Sequence, residues 1–249
     1  MDSYNCRVVT YPNSQHVTFY KKTINKGQKQ ECLTKTYQEK IRTKEQENEC
    51  KRISLNQTKN RIYKIARSNM WEWFITITFD RNKTDSSEYD IVVNRLQIFL
   101  ENLKKRSCPD LKYLIVPELH ADGEHYHFHG LLSNCDGLKF RYSGKNDRKS
   151  GKPIFNITNW KWGFSTATKV EDTNRVSSYI TKYITKENVN ILKEKRRFYA
   201  SRNIEKPQED FIVADEDGFQ QLYSDRITYC KSIEVKEAHQ QISYYEVSF

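Results

Sequence analysis

The chain has 249 residues, with 42 Lys and Arg against 32 Asp and Glu, so its formal net charge is +10. Thirty per cent of residues are charged and the mean hydropathy is −0.88. No apolar run approaches membrane-spanning length, and the first residues lack the apolar stretch of a signal peptide. The six cysteines (Cys6, Cys32, Cys50, Cys108, Cys135, Cys230) contain no Cys-x-x-Cys pair, which argues against a zinc ribbon or a disulfide framework.

A reducing, cytoplasmic setting is therefore the expectation. The basic balance points to a polyanionic partner, most simply nucleic acid, or else to a merely soluble basic protein. The 16 Tyr, 12 Phe and 4 Trp supply π-faces for stacking on unpaired bases, although aromatics also fill cores.

In chain order, residues 5–20 alternate weakly and predict one or two strands. Leu33 to Ser68 reads as a helix: it has no Pro or Gly, interleaves Lys, Arg and Glu, and places apolar residues at Ile53, Ile62 and Ile65. Trp71–Phe79 is β-branched and aromatic throughout, as a central strand would be, with Thr76 and Thr78 on one face. Ser86 to Lys105 predicts an amphipathic helix on Ile91, Leu96, Phe99, Leu100 and Leu103.

Tyr113–His120 and His125–Ser133 then predict a hairpin. Asp122-Gly123 is a strong two-residue turn signal. That turn places Ala121 opposite Glu124, His120 opposite His125, and Glu118 opposite His127. His127 and His129 flank one residue, so both rings leave the same face of a strand. A carboxylate and two imidazoles converge there, the ligands of a divalent-metal site, with His120 and His125 in reserve on the same face. The alternative is a plain polar sheet face.

Gly137 to Lys152, rich in Gly, Lys, Asn and Ser, reads as a mobile basic loop. Ile154–Trp160 and Phe164–Val170 predict short strands. Thr173–Glu187 predicts a helix capped by Asp172 or Thr173. Tyr179 and Tyr183, like Lys182 and Lys186, sit at helical spacing on one face. A phenol is a weak nucleophile at its usual pKa of about 10, and a neighbouring ammonium or a metal-polarised phosphate favours attack by its oxygen. The alternative is a core helix with two aromatic anchors and snorkelling lysines. Beyond residue 205 only alternation at Arg226–Val235 and Ile242–Val247 is legible. Strand, helix, hairpin, strands and helix in this order imply an α+β fold, with helices on an antiparallel sheet.

Three segments, Phe74-Ile-Thr-Ile-Thr-Phe79, Glu118-Leu-His with His127-Phe-His129, and Tyr179-Ile-Thr-Lys-Tyr-Ile-Thr-Lys186, resemble in order and spacing the HUH endonucleases. The match is to rolling-circle replication initiators of single-stranded DNA phages and plasmids, and covers roughly residues 70–205. The resemblance implies a palm-like central antiparallel sheet of about five strands with flanking helices. It divides the chain into residues 1–69, strands and a long basic helix; 70–205, the catalytic domain; and 206–249, a β-rich extension. It implies His127, His129 and Glu118 as ligands of Mg²⁺ or Mn²⁺, with His120 the reserve for Glu118. Tyr179 and Tyr183 correspond to paired nucleophiles, and Lys182 and Lys186 to phosphate or phenolate partners. Thr76 and Thr78, with Arg196, Arg197 and Arg202 of Arg196-Arg-Phe-Tyr-Ala-Ser-Arg202, correspond to DNA contacts.

The activity so implied is nicking and rejoining of single-stranded or hairpin origin DNA through a 5′-phosphotyrosyl intermediate. No phosphate-binding Gly-x-x-x-x-Gly-Lys-[Ser/Thr] loop is present, so unwinding and synthesis would fall to a host helicase and polymerase. The rivals are a single-strand transposase or a relaxase of the same chemistry, a non-catalytic nucleic-acid-binding protein, and a hydrolase using metal-bound water. In relaxases the tyrosine usually precedes the histidines, the reverse of the order here.

Overall fold

A computed structural model of the chain describes residues 3–25, 43–184, 195–235 and 239–249. The fold is α+β, built on two antiparallel sheets of five and seven strands. Two compact units divide it: residues 42–206 form one, and residues 1–41 with 207–249 form the other. The division drawn from the sequence at residues 69 and 205 thus changes. The long helix belongs with the central unit, and the N-terminal strands share a sheet with the C-terminal ones. That pairing joins segments some two hundred residues apart, a relation no local pattern reports.

In the terminal unit, β1 (Ser3–Tyr11) and β2 (Ser14–Asn25) form a hairpin. β10 (Gln208–Ile212) pairs with β1, and β12 (Gln240–Ser248) lies between β2 and β11 (Ile227–Val235). The expected strand segments of the tail, Arg226–Val235 and Ile242–Val247, are β11 and β12. A short helix, α4 (Glu216–Leu222), packs Phe219 on Phe19 and Tyr245 over a core of Cys6, Val17 and Val247. Burial, helped by the nearby Glu216 carboxylate, pushes the Cys6 thiol up to about 11.

The central unit starts with α1 (Lys44–Arg67), which Thr43 opens through a reciprocal capping box with Gln46. The expected start at Leu33 lies outside the described residues. The strand expected over Trp71–Phe79 is β3 (Trp73–Ile77). α2 (Tyr89–Arg106) buries Tyr89, Val92, Leu96, Phe99, Leu100 and Leu103, a stripe at the i, i+3, i+4, i+7 spacing of a packed helix. β4 (Lys112–Leu119) and β5 (Tyr126–Ser133) are the predicted hairpin. They are followed by β6 (Phe140–Asn146), β7 (Pro153–Ile157) and β8 (Ser165–Lys169). After α3 (Thr173–Ile180), the two-residue β9 (Tyr199–Ala200) pairs with β4. The sheet order is β6-β7-β8-β3-β5-β4-β9.

The sheet is wider than the expected five strands because part of the expected loop Gly137–Lys152 is β6. Phe140 stacks on Trp73, with ring centroids 3.9 Å apart, and this anchors the segment to the core. The glycine that read as a loop marker, Gly144, sits at a φ of 77° in a register break between Tyr142 and Lys145, where the strand bulges without ending. Only Asp147–Lys152 remains a turn, closed by the Asp147 carboxylate.

Each face of this sheet has its own core. Trp73, Ile75, Ile77, Phe128 and Leu132 face α2. Leu114, Val116 and Leu131 face Leu55, Ile62 and Ile65 of α1 and Ile180 at the end of α3. No helix among the described residues is long and apolar enough to cross a membrane.

Candidate active site

The site is built on the β4–β5 hairpin. Glu118 pairs with His127 and Val116 with His129, the register expected from the sequence. The turn itself differs. The Gly123 N–H donates to the His120 carbonyl at 2.8 Å, and the His120 N–H to the His125 carbonyl at 2.7 Å. The loop is therefore the four residues Ala121 to Glu124. Two and four residues have the same parity, so the same side chains reach the same face. The Asp122 carboxylate closes the loop by accepting from the Glu124 and His125 amides. Those amide bonds, then the contact to the His125 ring, hold its carboxyl well below the usual range.

Pro117 precedes Glu118 inside β4. The Tyr113 amide donates to Ser201 Oγ and the Tyr113 carbonyl accepts from the Ser201 amide, so alternate residues of β4 point toward β9. β9 pairs only with Leu114 and Ile115, so a proline at 117, which lacks an N–H, faces a stretch of edge where none is used.

Glu118 Oε2 lies 2.6 Å from His127 Nε2 and 2.8 Å from His129 Nε2. One ligand atom from each of the three residues falls within 4.8 Å of the others, the one such group among the described residues. Burial pushes the Glu118 carboxyl up, but hydrogen bonds from His127 and then His129 overcome it and lower it to about 2. His129 is 6% exposed, and burial lowers its pKa against the opposing bond to Glu118. An ionised carboxylate beside a largely neutral imidazole is the donor set a divalent cation takes.

His129 Nδ1 lies 3.0 Å from Thr76 Oγ1 on β3. A threonine hydroxyl both accepts and donates. It accepts from Nδ1–H when the Nε2 lone pair faces a cation, and donates to Nδ1 when Nε2 carries the proton. Thr76 is thus occupied with His129, a role its period-2 pattern did not reveal. Thr78 Oγ1 donates to the Phe164 carbonyl at 3.1 Å. The two reserve histidines lie apart from the group. His125 Nδ1 sits 2.9 Å from Asp122, and His120 stands edge-on to His127 with centroids 5.5 Å apart.

Asp172 caps α3 by accepting from the Asn174 and Arg175 amides. The helix expected to reach Glu187 is α-helical only to Ile180, and Thr181–Tyr183 tightens into a 3₁₀ turn. Lys186 lies outside the described residues. The turn still brings the tyrosines together: Tyr183 Oη donates to Tyr179 Oη at 2.9 Å. The Tyr183 ring stacks on the His129 imidazole, and Phe74 contacts both tyrosine rings. Lys182 Nζ sits 5.1 Å from the Tyr179 ring centroid. The sequence thus spread these residues over three segments, and the fold puts them side by side.

The arginines divide. Arg197 Nη1 donates to Ser54 Oγ and Thr58 Oγ1 of α1 at 2.7 and 3.0 Å, which ties it into the fold. Arg196 and Arg202 are exposed. Arg61, whose guanidinium lies over the Phe198 ring, shares a groove with Arg196 that the sequence did not mark.

Residues 72–188 match a family model, that of the replication-associated proteins of the ORF2 and gene II protein type. No curated protein and no solved structure matches the chain. The match spans β3, the histidine hairpin and the start of the tyrosine segment, and so encloses the whole site.

Proposed function

We propose that this chain, similar over residues 72–188 to replication-associated proteins, starts rolling-circle replication by nicking and rejoining single-stranded origin DNA. The observation that carries the reading is the packing of a phenol pair directly onto a three-ligand metal group. Glu118, His127 and His129 would hold a divalent cation, Mg²⁺ or Mn²⁺ in this reading. Bound there, it would serve as Lewis acid and template for the non-bridging oxygens of the scissile phosphate.

Tyr179 is assigned as the first nucleophile. It is 42% exposed, and it accepts the Tyr183 hydroxyl, a bond that strengthens as negative charge grows on its oxygen. The Tyr179 oxygen bonds to phosphorus, the bond from phosphorus to the 3′-oxygen breaks, and that oxygen takes up a proton. A 5′-phosphotyrosyl link and a free 3′-OH result. The reverse attack by a 3′-OH restores the phosphodiester without ATP, because the link conserves its free energy. Lys182 offers a cation to phosphate or phenolate. Tyr183 would take the second strand once Tyr179 is occupied.

The partners in this reading are origin DNA presented unpaired or in a hairpin, and a host helicase and polymerase in the cytoplasm. A metal-bound water acting alone would give turnover without covalent attachment, and a non-catalytic binder would give neither. Denaturing electrophoresis of protein incubated with single-stranded DNA and Mn²⁺ separates the three.

A further inference from the structure

The His129 face of the seven-stranded sheet is covered by α1 and α3 on the β4 side. Past β3 it is open. Thr76 pairs with His129 on one side and Thr166 on the other. Phe155 pairs with Ala167, which sets Asn156 beside Thr166, and Arg141 pairs with Asn156. Directly opposed residues share a face. His129, Thr76, Thr166, Asn156 and Arg141 therefore form one row across five strands, roughly 19 Å long at about 4.8 Å per strand.

Arg141 and Thr166 are exposed and Asn156 is half-buried. Among the described residues their side chains have no hydrogen-bond or ion-pair partner, and the row contains no carboxylate. One row along, Phe164 stands opposite Thr78. Its carbonyl is held by both the Thr78 amide and the Thr78 hydroxyl, while its side chain is 79% exposed. A single exposed apolar residue is ordinary. This one is fixed at its backbone, on the face of the metal group, beside a row of free polar groups ending in a guanidinium.

We infer that the open β6–β7–β8 half of this face holds the stretch of single-stranded DNA adjoining the scissile phosphate. Phe164 stacks an unpaired base, Arg141 meets a backbone phosphate, and Asn156 and Thr166 offer hydrogen bonds between them. The strand must be unpaired, because a base inside a duplex has no free face to lay on the ring. The inference rests on the cleavage reading above and assigns its substrate a path.

The test is a fluorescence-anisotropy titration of the full chain with a short fluorescein-labelled DNA strand lacking self-complementarity, at several salt concentrations. Melting temperatures establish that each variant is folded. Phe164→Ala should weaken binding about five-fold or more, and Phe164→Trp should restore it. Arg141→Ala should lower the slope of log affinity against log salt by about 0.7, the loss of one phosphate contact. Lys105→Ala, on α2 across the sheet, should change neither. Wild-type affinity and slope in both Phe164→Ala and Arg141→Ala would overturn the path. Tight binding that depends on Phe164 and Arg141, without any covalent attachment, would instead refute the cleavage reading and leave the path standing.

Discussion

The Tyr183 ring lies flat on the His129 imidazole, with centroids 3.5 Å apart and planes 14° from parallel. Through its hydroxyl the same ring reaches Tyr179, so the ligand group and the phenol pair pack as one body. Burial first, and the bond to Tyr179 second, hold the Tyr183 phenol above its ordinary range. Tyr183 therefore serves as a proton-bearing donor, and Tyr179 as the acceptor.

The two tyrosines should then differ when substituted. Tyr179→Phe should abolish the first covalent adduct with single-stranded DNA. Tyr183→Phe keeps the ring on His129 and removes only the donor, so the adduct should still form, about ten-fold or more slowly, the scale of one charge-assisted hydrogen bond. Adduct formation followed over time on denaturing gels distinguishes them, and the reverse pattern would exchange their roles.

Thr76 positions His129 through Nδ1. Thr76→Val keeps the shape and removes the hydroxyl. Mn²⁺ affinity measured by calorimetry should fall about 10- to 100-fold, as for partners that orient a ligating imidazole. Thr76→Ser should recover most of it. Equal affinity in Thr76→Val and wild type would free Thr76 from this role.

The relation of Glu118 to His127 was legible in the sequence because it depends only on period-2 alternation and an even loop, and it survived a turn of four residues in place of two. The bond from Thr76 to His129 was not, because it crosses between strands some fifty residues apart whose neighbour relation no local pattern states. β6 was hidden by Gly144, which marks a bulge as readily as a loop. The shared sheet of the two termini depends wholly on long-range pairing.

Gly130, between the site's His129 and Leu131, has no room for a side chain. A Cβ there would lie 2.9 Å from Ile115 Cγ1 and 3.3 Å from Ile75 Cγ1. Gly130→Ala should destabilise the protein by about 1–3 kcal/mol in urea unfolding, the usual scale of overpacking. An unchanged midpoint would show that β5 yields more easily than its packing implies.

In the terminal unit, Tyr245 donates to Glu216 Oε1 and accepts from Gln220 Nε2, both at 2.6 Å. Burial, then the bond to Glu216, raises its phenol from 10.0 to about 12. A pKa raised on folding gives stability that is complete below the unfolded value and lost as pH rises through the folded one. The melting temperature should therefore drop between about pH 10 and 12 by more in wild type than in Tyr245→Phe. Parallel curves for the two proteins would remove Tyr245 from the alkaline transition.

The central claim is that the phenol pair and the ligand group act together on one phosphate. Mass spectrometry of the protein after incubation with single-stranded DNA and Mn²⁺ tests it most directly. The account predicts a nucleotide adduct on Tyr179 or Tyr183, lost with EDTA, in His127→Ala/His129→Ala, and in Tyr179→Phe/Tyr183→Phe. An adduct that persists in the double tyrosine variant, or cleaved DNA with no adduct in wild type, would contradict it.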